Sequence, residues 1–174
     1  GLGDVYKRQP QSNQWLRLLA RNFTSRTQVV LGYSGYERGR GWLHKRIAFD
    51  NLFTSMRYLG FALAGSPYMG IGRNLAYRKE LFYREKGFSA HLNLQRGDDD
   101  LFVNHIATAE NTRVETDADA IVRMQPVSGA KDWREEKIGY ASTARLYHGA
   151  QRWLAGLETT TRLTILHCVD SSAR

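Results

Sequence analysis

The chain has 174 residues, a formal net charge of +8, 42% hydrophobic residues and three prolines. That length suits one domain with a sizeable core, and the composition is not that of a disordered chain. A single cysteine, Cys168, excludes an internal disulfide and a cysteine-rich metal site, and no run reaches the ~18–20 apolar residues of a membrane span.

The opening GLGDVYKRQ is Gly-rich and basic, with no apolar signal-peptide core and no periodicity that continues into the next segment. It resembles translated adaptor sequence, and residues 1–9 are expected to lie outside the fold. Ser12 is a candidate N-cap for a helix over Gln14 to Phe23, with Trp15, Leu18 and Leu19 at helical spacing. TQVVLGY reads as a short buried strand ending at Gly32, and SGYERGRG as a Gly-rich loop. From Trp42 to Leu63 a long helical pattern runs to the stop signal Gly65-Ser66-Pro67. YMGIGRNLAYR is strand-like, with the strand near Met69–Ala76 expected in one sheet with that near Val29–Leu31, and KELFYREKGF is a short helix with Gly87 near its C-cap. A helix is expected from Leu101 to Thr108, with three aspartates in or just before its first turn. TRVETDADAIVRMQP alternates like a strand. Lys131 to Leu146 and Gly149 to Leu157 are helical. Strands and helices interleave, so the expected class is α/β.

Charge is spread unevenly. Arg17 to Arg46 holds seven Lys/Arg residues and one acid, Glu37, whereas Gly97 to Ala120 holds seven acids and one base, Arg113. A basic face beside an acidic cluster suits an anionic ligand held near a catalytic carboxylate. It also suits an anionic membrane surface or nucleic acid, or simply a lopsided soluble surface.

GIGRNLA opens like a dinucleotide fingerprint but lacks its third glycine, because position 75 is Leu. The plainer role of Gly70 and Gly72 is to let the backbone approach a neighbour closely or bend a strand. Asp98, Asp99 and Asp100 suit the unsatisfied N–H groups of a helix start, although capping does not require three carboxylates. The chemical alternative is a carboxylate fixed at a loop–helix junction that takes a proton from a substrate hydroxyl. The five histidines show no metal-ligand spacing.

The stretch SPYMGIGRNLAYRKELFYREKGFSAHLNLQRGDDDLFVN resembles the acceptor-side half of inverting family-2 glycosyltransferases of the GT-A fold, most closely the membrane-associated ones. In that family a glycine-containing strand leads into an arginine, a GGF-like turn, then an acidic pair followed by two residues and Leu. The counterparts here are Gly70 and Gly72, Arg78, Gly87-Phe88, and Asp98 three before Leu101. PQSNQWLRLLARNF is similar to the stretch that comes after the family's aspartate-x-aspartate metal motif. The likeness spans about Pro10 to Arg145.

It implies a partial, Rossmann-like GT-A domain over 10–145, lacking its nucleotide-binding half, and an amphipathic interfacial tail over 146–174. The implied base is Asp98, with Asp99 the alternative, since Gly97 stands where the family usually has Glu. Gly70, Gly72, Arg73, Arg78, Asp100 and Tyr140 are the implied substrate-side residues. The implied partners are a nucleotide-sugar donor, a glycan or lipid-linked acceptor, and a membrane surface at the cytoplasmic face of the inner membrane, with no nucleic acid. A divalent cation (Mg2+ or Mn2+) is implied for the full-length enzyme, its ligands lying upstream of Pro10 and so missing from this piece, which is expected to be inactive alone. Asp117 and Asp119 match the metal motif as a string but come after the base instead of preceding it, and are expected in an exposed strand or turn. The processive family helix, Gln-x-x-Arg-Trp, is replaced by EKIGY at 136–140, which argues against a long polymer product. Two rival readings are a non-catalytic basic module binding anionic membrane or nucleic acid, and a metal-dependent phosphoryl-transfer site on the three aspartates.

Overall fold

The structure is a computed structural model, and it describes residues 8–10, 12–85, 98–125, 129–144 and 147. The described residues are mixed α/β. In chain order they form β1 (Arg8–Pro10), α1 (Trp15–Ala20), β2 (Val29–Gly32), β3 (Ser34–Tyr36), α2 (Trp42–Leu63), β4 (Leu75–Tyr77), α3 (Lys79–Arg84), α4 (Asp98–Ile106), β5 (Thr112–Glu115), β6 (Val122–Met124) and α5 (Ala130–Ala144). Two 3-10 turns, Gly72–Asn74 and Ala118–Ala120, lie immediately before β4 and shortly before β6.

The strands make two three-stranded sheets, ordered β4–β2–β5 and β1–β6–β3. β2 and β3 are separated only by Tyr33, and both pair parallel with successive pieces of one partner segment: Gly32 lies opposite Glu115, and Ser34 opposite Val122. The sheets are therefore two parts of one parallel ribbon with a seam. One strand crosses the seam through a single residue, while its partner leaves the ladder over 116–121 and returns. β4 joins β2 antiparallel, with Val29 opposite Tyr77. β1 joins β6 antiparallel, with Gln9 opposite Arg123. Arg8 and Gln9, expected outside the fold, thus supply backbone to an edge strand.

β2 is the centre of its sheet, and its Val29, Val30 and Leu31 are fully buried, as a strand covered on both faces requires. Each such side chain stabilises the fold by ~1.5–3 kcal/mol relative to exposure. The main core sets Val29 and Leu31 against Leu101, Val103 and Ile106 of α4 and the extended run Tyr68–Ile71. Gly70 lets that run approach: a Cβ there would stand 2.8 Å from Val103 Cγ2 and 2.9 Å from Leu31 Cδ2.

Several boundaries differ from the sequence reading. Ser34–Tyr36 is a strand instead of a loop, because parallel pairing with β6 overrides its turn-prone composition. Within the strand-like stretch YMGIGRNLAYR, only Leu75–Tyr77 enters a ladder; Met69 and Ile71 are apolar because they are buried, not because they are paired. α4 begins at Asp98, so the aspartates form its first turn. The strand expected over TRVETDADAIVRMQP is split in two by the excursion at the seam. Gly87 and the expected helix Gly149 to Leu157 lie outside the described residues.

Candidate functional site

The turn Gly72–Asn74 organises the candidate site by sending three consecutive residues to three different places. Asn74 is buried and serves the seam. Its side-chain amide donates to Tyr33 O at 2.8 Å and Ala120 O at 2.9 Å, two carbonyls at the break between the sheets, and its Oδ1 accepts from Trp15 Nε1 at 3.0 Å. It supplies side-chain hydrogen bonds where the ladder is interrupted. Gly32 makes room for it, since a Cβ at that position would fall 2.5 Å from Asn74 Nδ2. Two side chains of α2 do similar work: Tyr58 Oη donates to Gly32 O at 3.1 Å, and Asn51 Nδ2 to Ser34 O at 2.8 Å.

Arg73 is half-buried. Its guanidinium lies 5.8 Å from the Tyr36 ring centroid and 3.5 Å from Asn51 Oδ1. Gly72 is exposed, and its amide donates to Asp99 Oδ2. A Cβ on residue 72 would stand 2.8 Å from that oxygen, so glycine is what permits the contact. The first turn of α4 is therefore tied to the turn before β4 by a carboxylate–amide bond, the strong, charge-assisted kind. Among the described residues no Lys or Arg side chain forms an ion pair with Asp99.

Asp100, the next residue, is fully buried. Tyr147 donates to its Oδ2 at 2.7 Å, and the Leu101 amide to its Oδ1 at 3.0 Å. Burial first, then the adjacent Asp100 carboxylate, holds the Tyr147 hydroxyl well above the ordinary tyrosine range. Tyr68 meets Tyr147 edge-on at 6.0 Å; burial raises its hydroxyl pKa as well, an effect that the nearby Arg57 reduces. Asp100 thus faces the core, whereas the sequence reading set it beside the substrate. Asp98 is described as backbone only, the first residue of α4, and Tyr140 as backbone within α5.

Arg78 works inside the fold. Its Nε donates to Thr27 O at 3.0 Å and its second guanidinium nitrogen to Thr24 O at 2.6 Å, over the Phe23 ring at 5.6 Å. It staples the turn before β2 to the end of β4.

The second acidic stretch is also structural. Glu115 is almost fully buried and is gripped by Arg21 through bonds of 3.1 and 2.9 Å and by Asn22. Burial alone raises its pKa, but hydrogen bonds from Arg21, the Asp117 amide and Asn22, together with attraction to Arg21, outweigh that and hold the carboxyl below its ordinary value. Asp117 bonds Arg21 at 3.2 Å and caps the 3-10 turn by accepting from the Asp119 amide at 3.0 Å. The pair sits in a turn, one of the two placements expected. Among the described residues, no three His, Cys, Asp or Glu side chains converge as a metal site.

Asn51, Asn74 and Tyr147 were not singled out from sequence. Asn51 and Asn74 carry a weak signal, an amide inside an apolar pattern. Tyr147 was read only as part of the amphipathic tail over 146–174, because its partner is 47 residues away. No family model, curated protein or solved structure matches the chain.

Proposed function

We propose that this chain is the acceptor-side part of an inverting family-2 glycosyltransferase, and that Asp99 is its general base. The observation that carries the reading is the bond from the Gly72 amide to Asp99. Of the two aspartates with described side chains, Asp100 is consumed by the core, whereas Asp99 is half-buried and held by one oxygen. A base needs that combination: a fixed position and a lone pair left to accept a proton.

In the proposed step Asp99 removes the proton of an acceptor hydroxyl. The oxygen attacks the anomeric carbon of the donor sugar from the face opposite the nucleotide, the bond to the diphosphate oxygen breaks, and the electron pair leaves with the nucleoside diphosphate. The anomeric centre inverts and Asp99 carries the proton. Arg73, next to Gly72 in the chain, would hold an anionic group of donor or acceptor. Tyr36 and Asn51 would set its direction. A divalent cation, where the whole enzyme binds one, would neutralise charge on the leaving diphosphate. The acceptor is a glycan or lipid-linked hydroxyl at a membrane surface, and the ordered set of motifs from Pro10 to Arg145 supports the reading.

The test is Asp99→Asn in the protein extended by its upstream half. Asn keeps the size and can accept the Gly72 bond. Nucleotide-sugar binding should persist while turnover falls by ~10²–10⁴-fold. Full turnover in Asp99→Asn with loss in Asp98→Asn would move the base by one residue, and full turnover in both would end the catalytic reading.

A further inference from the structure

Helix α2 is built inside out. Its 22 residues bury Ile47, Asn51, Ser55 and Tyr58, a face with two small polar side chains and a phenol that bonds the sheet. The opposite face carries Trp42, Phe49, Met56 and Leu63 at every seventh position, with Phe53 and Leu52 alongside, and these six are between 43% and 71% exposed. At 3.6 residues per turn they form one continuous stripe. Within it Phe49 and Phe53 stack on each other at 6.5 Å. A surface helix in water shows the reverse pattern, and a contiguous apolar stripe marks an interaction surface.

Charge indicates what covers it. α2 carries Lys45, Arg46 and Arg57 against one acid, Asp50, and Asp50 is ion-paired with Lys137 of α5. Arg38 and Arg40 stand in the segment leading into the helix, beside a single acid, Glu37. At the N-terminal end of the stripe the Arg46 guanidinium lies between two indoles, 5.3 Å from Trp42 and 5.4 Å from Trp133. The apolar stripe is therefore bordered by cations at one end and has no exposed carboxylate within the helix. Aromatic and aliphatic side chains on one face with Lys and Arg at its margin is the composition of a helix lying in the headgroup boundary of a bilayer. No described helix is long and apolar enough to cross one.

We infer that α2 docks its outer face on an anionic lipid surface, with Phe49, Phe53, Met56 and Leu63 among the acyl chains and Lys45 and Arg46 at the phosphates. This rests on α2 alone and stands or falls separately from the sugar-transfer reading. It also differs from the expected tail anchor over 146–174, of which only Tyr147 is described.

The test is flotation of the full chain with phosphatidylcholine vesicles, with and without phosphatidylglycerol. The wild type should float with the anionic vesicles, and Phe49→Ser/Phe53→Ser/Met56→Ser should bind them at least about tenfold more weakly, because the lost acyl-chain contacts are what hold it. Its thermal midpoint should be unchanged, because these side chains are exposed. Equal binding to neutral vesicles would overturn the charge argument. Wild-type-like flotation of the triple variant, with loss in Trp153→Ser/Leu154→Ser, would overturn the assignment to α2 in favour of the tail. A fall in thermal midpoint, or a shift from dimer to monomer in sedimentation, would show that protein covers the stripe, and would overturn the lipid assignment.

Discussion

The chain holds two clusters of three acids each, Asp98 to Asp100 and Glu115 to Asp119, and the fold uses them differently. In the second, Arg21, at the end of α1, reaches both Glu115 and Asp117, Asn22 adds a bond to Glu115, and Asp117 caps the turn that closes the excursion at the seam. The described bonds of Glu115 and Asp117 go to holding α1 against the seam and shaping the turn there. In the first, Asp100 goes into the core against Tyr147, while Asp99 meets a single backbone amide. Carboxylates alike in composition become structural or available according to which neighbours can reach them. String motifs, such as the aspartate-x-aspartate at 117–119, do not report that difference.

The comparison can be sharpened at Gly72. Its backbone is one that alanine accepts, and the nearest atom to a new Cβ is the movable end of Asp99, at 2.8 Å. Gly72→Ala should leave the thermal midpoint nearly unchanged while displacing the carboxylate, and displacements of this kind cost up to ~10²-fold in rate. Unchanged turnover would detach Asp99 from the chemistry. Next in size is Tyr147→Phe, which takes a donor from the buried Asp100 carboxylate and should lower unfolding stability by about 1–3 kcal/mol in urea titration. No change there would mean that Asp100 is not the core group described.

Glu115 gives a smaller, pH-resolved effect. Its folded pKa is depressed, so its contribution is complete above the ordinary glutamate value of 4.5 and is lost as the pH falls through the lower folded value. Glu115→Gln should remove that acid-side dependence and cost about 1 kcal/mol at neutral pH, at the low end for charged hydrogen bonds because Arg21 is half-exposed. Urea midpoints tracked through the acid range would check both, and an unchanged acid slope would contradict the assignment. Asp117→Ala with Asp119→Ala is expected to do least, under about 1 kcal/mol, the scale of a lost cap, with turnover intact. A loss of metal binding in that double variant would reverse the contrast between the clusters.

Helix α2 was legible in the sequence to its end residues, because a long apolar periodicity and a Gly-Ser-Pro stop fix it locally. The periodicity did not say which face points inward. Apolar and aromatic residues stand on more than one side of this helix, and only the contacts of Asn51 and Tyr58 with the sheet choose between orientations. β2 and the glycine-rich segment were expected in one sheet and share one, through pairing over Leu75–Tyr77. Tyr68–Ile71 shows that burial yields the same apolar string as a strand without any ladder. The seam at Tyr33 and its repair by Asn74 were not legible, since they join residues 41 and 46 positions apart. Of the candidate site, the aspartate cluster and Gly72 were visible in the string; which aspartate faces out was not, because that depends on Tyr147.

The central contrast is tested most directly by measuring thermal midpoint together with sugar-transfer rate, in the longer protein that the proposed function requires, on two variants, Asp99→Asn and Glu115→Gln. The expected pattern is crossed. Asp99→Asn keeps its midpoint and loses ~10²–10⁴-fold in turnover, whereas Glu115→Gln loses stability and keeps its turnover per folded molecule. Parallel losses in both variants, or a stable and fully active Asp99→Asn, would contradict the proposed division between Glu115, which folds the chain, and Asp99, which would serve its chemistry.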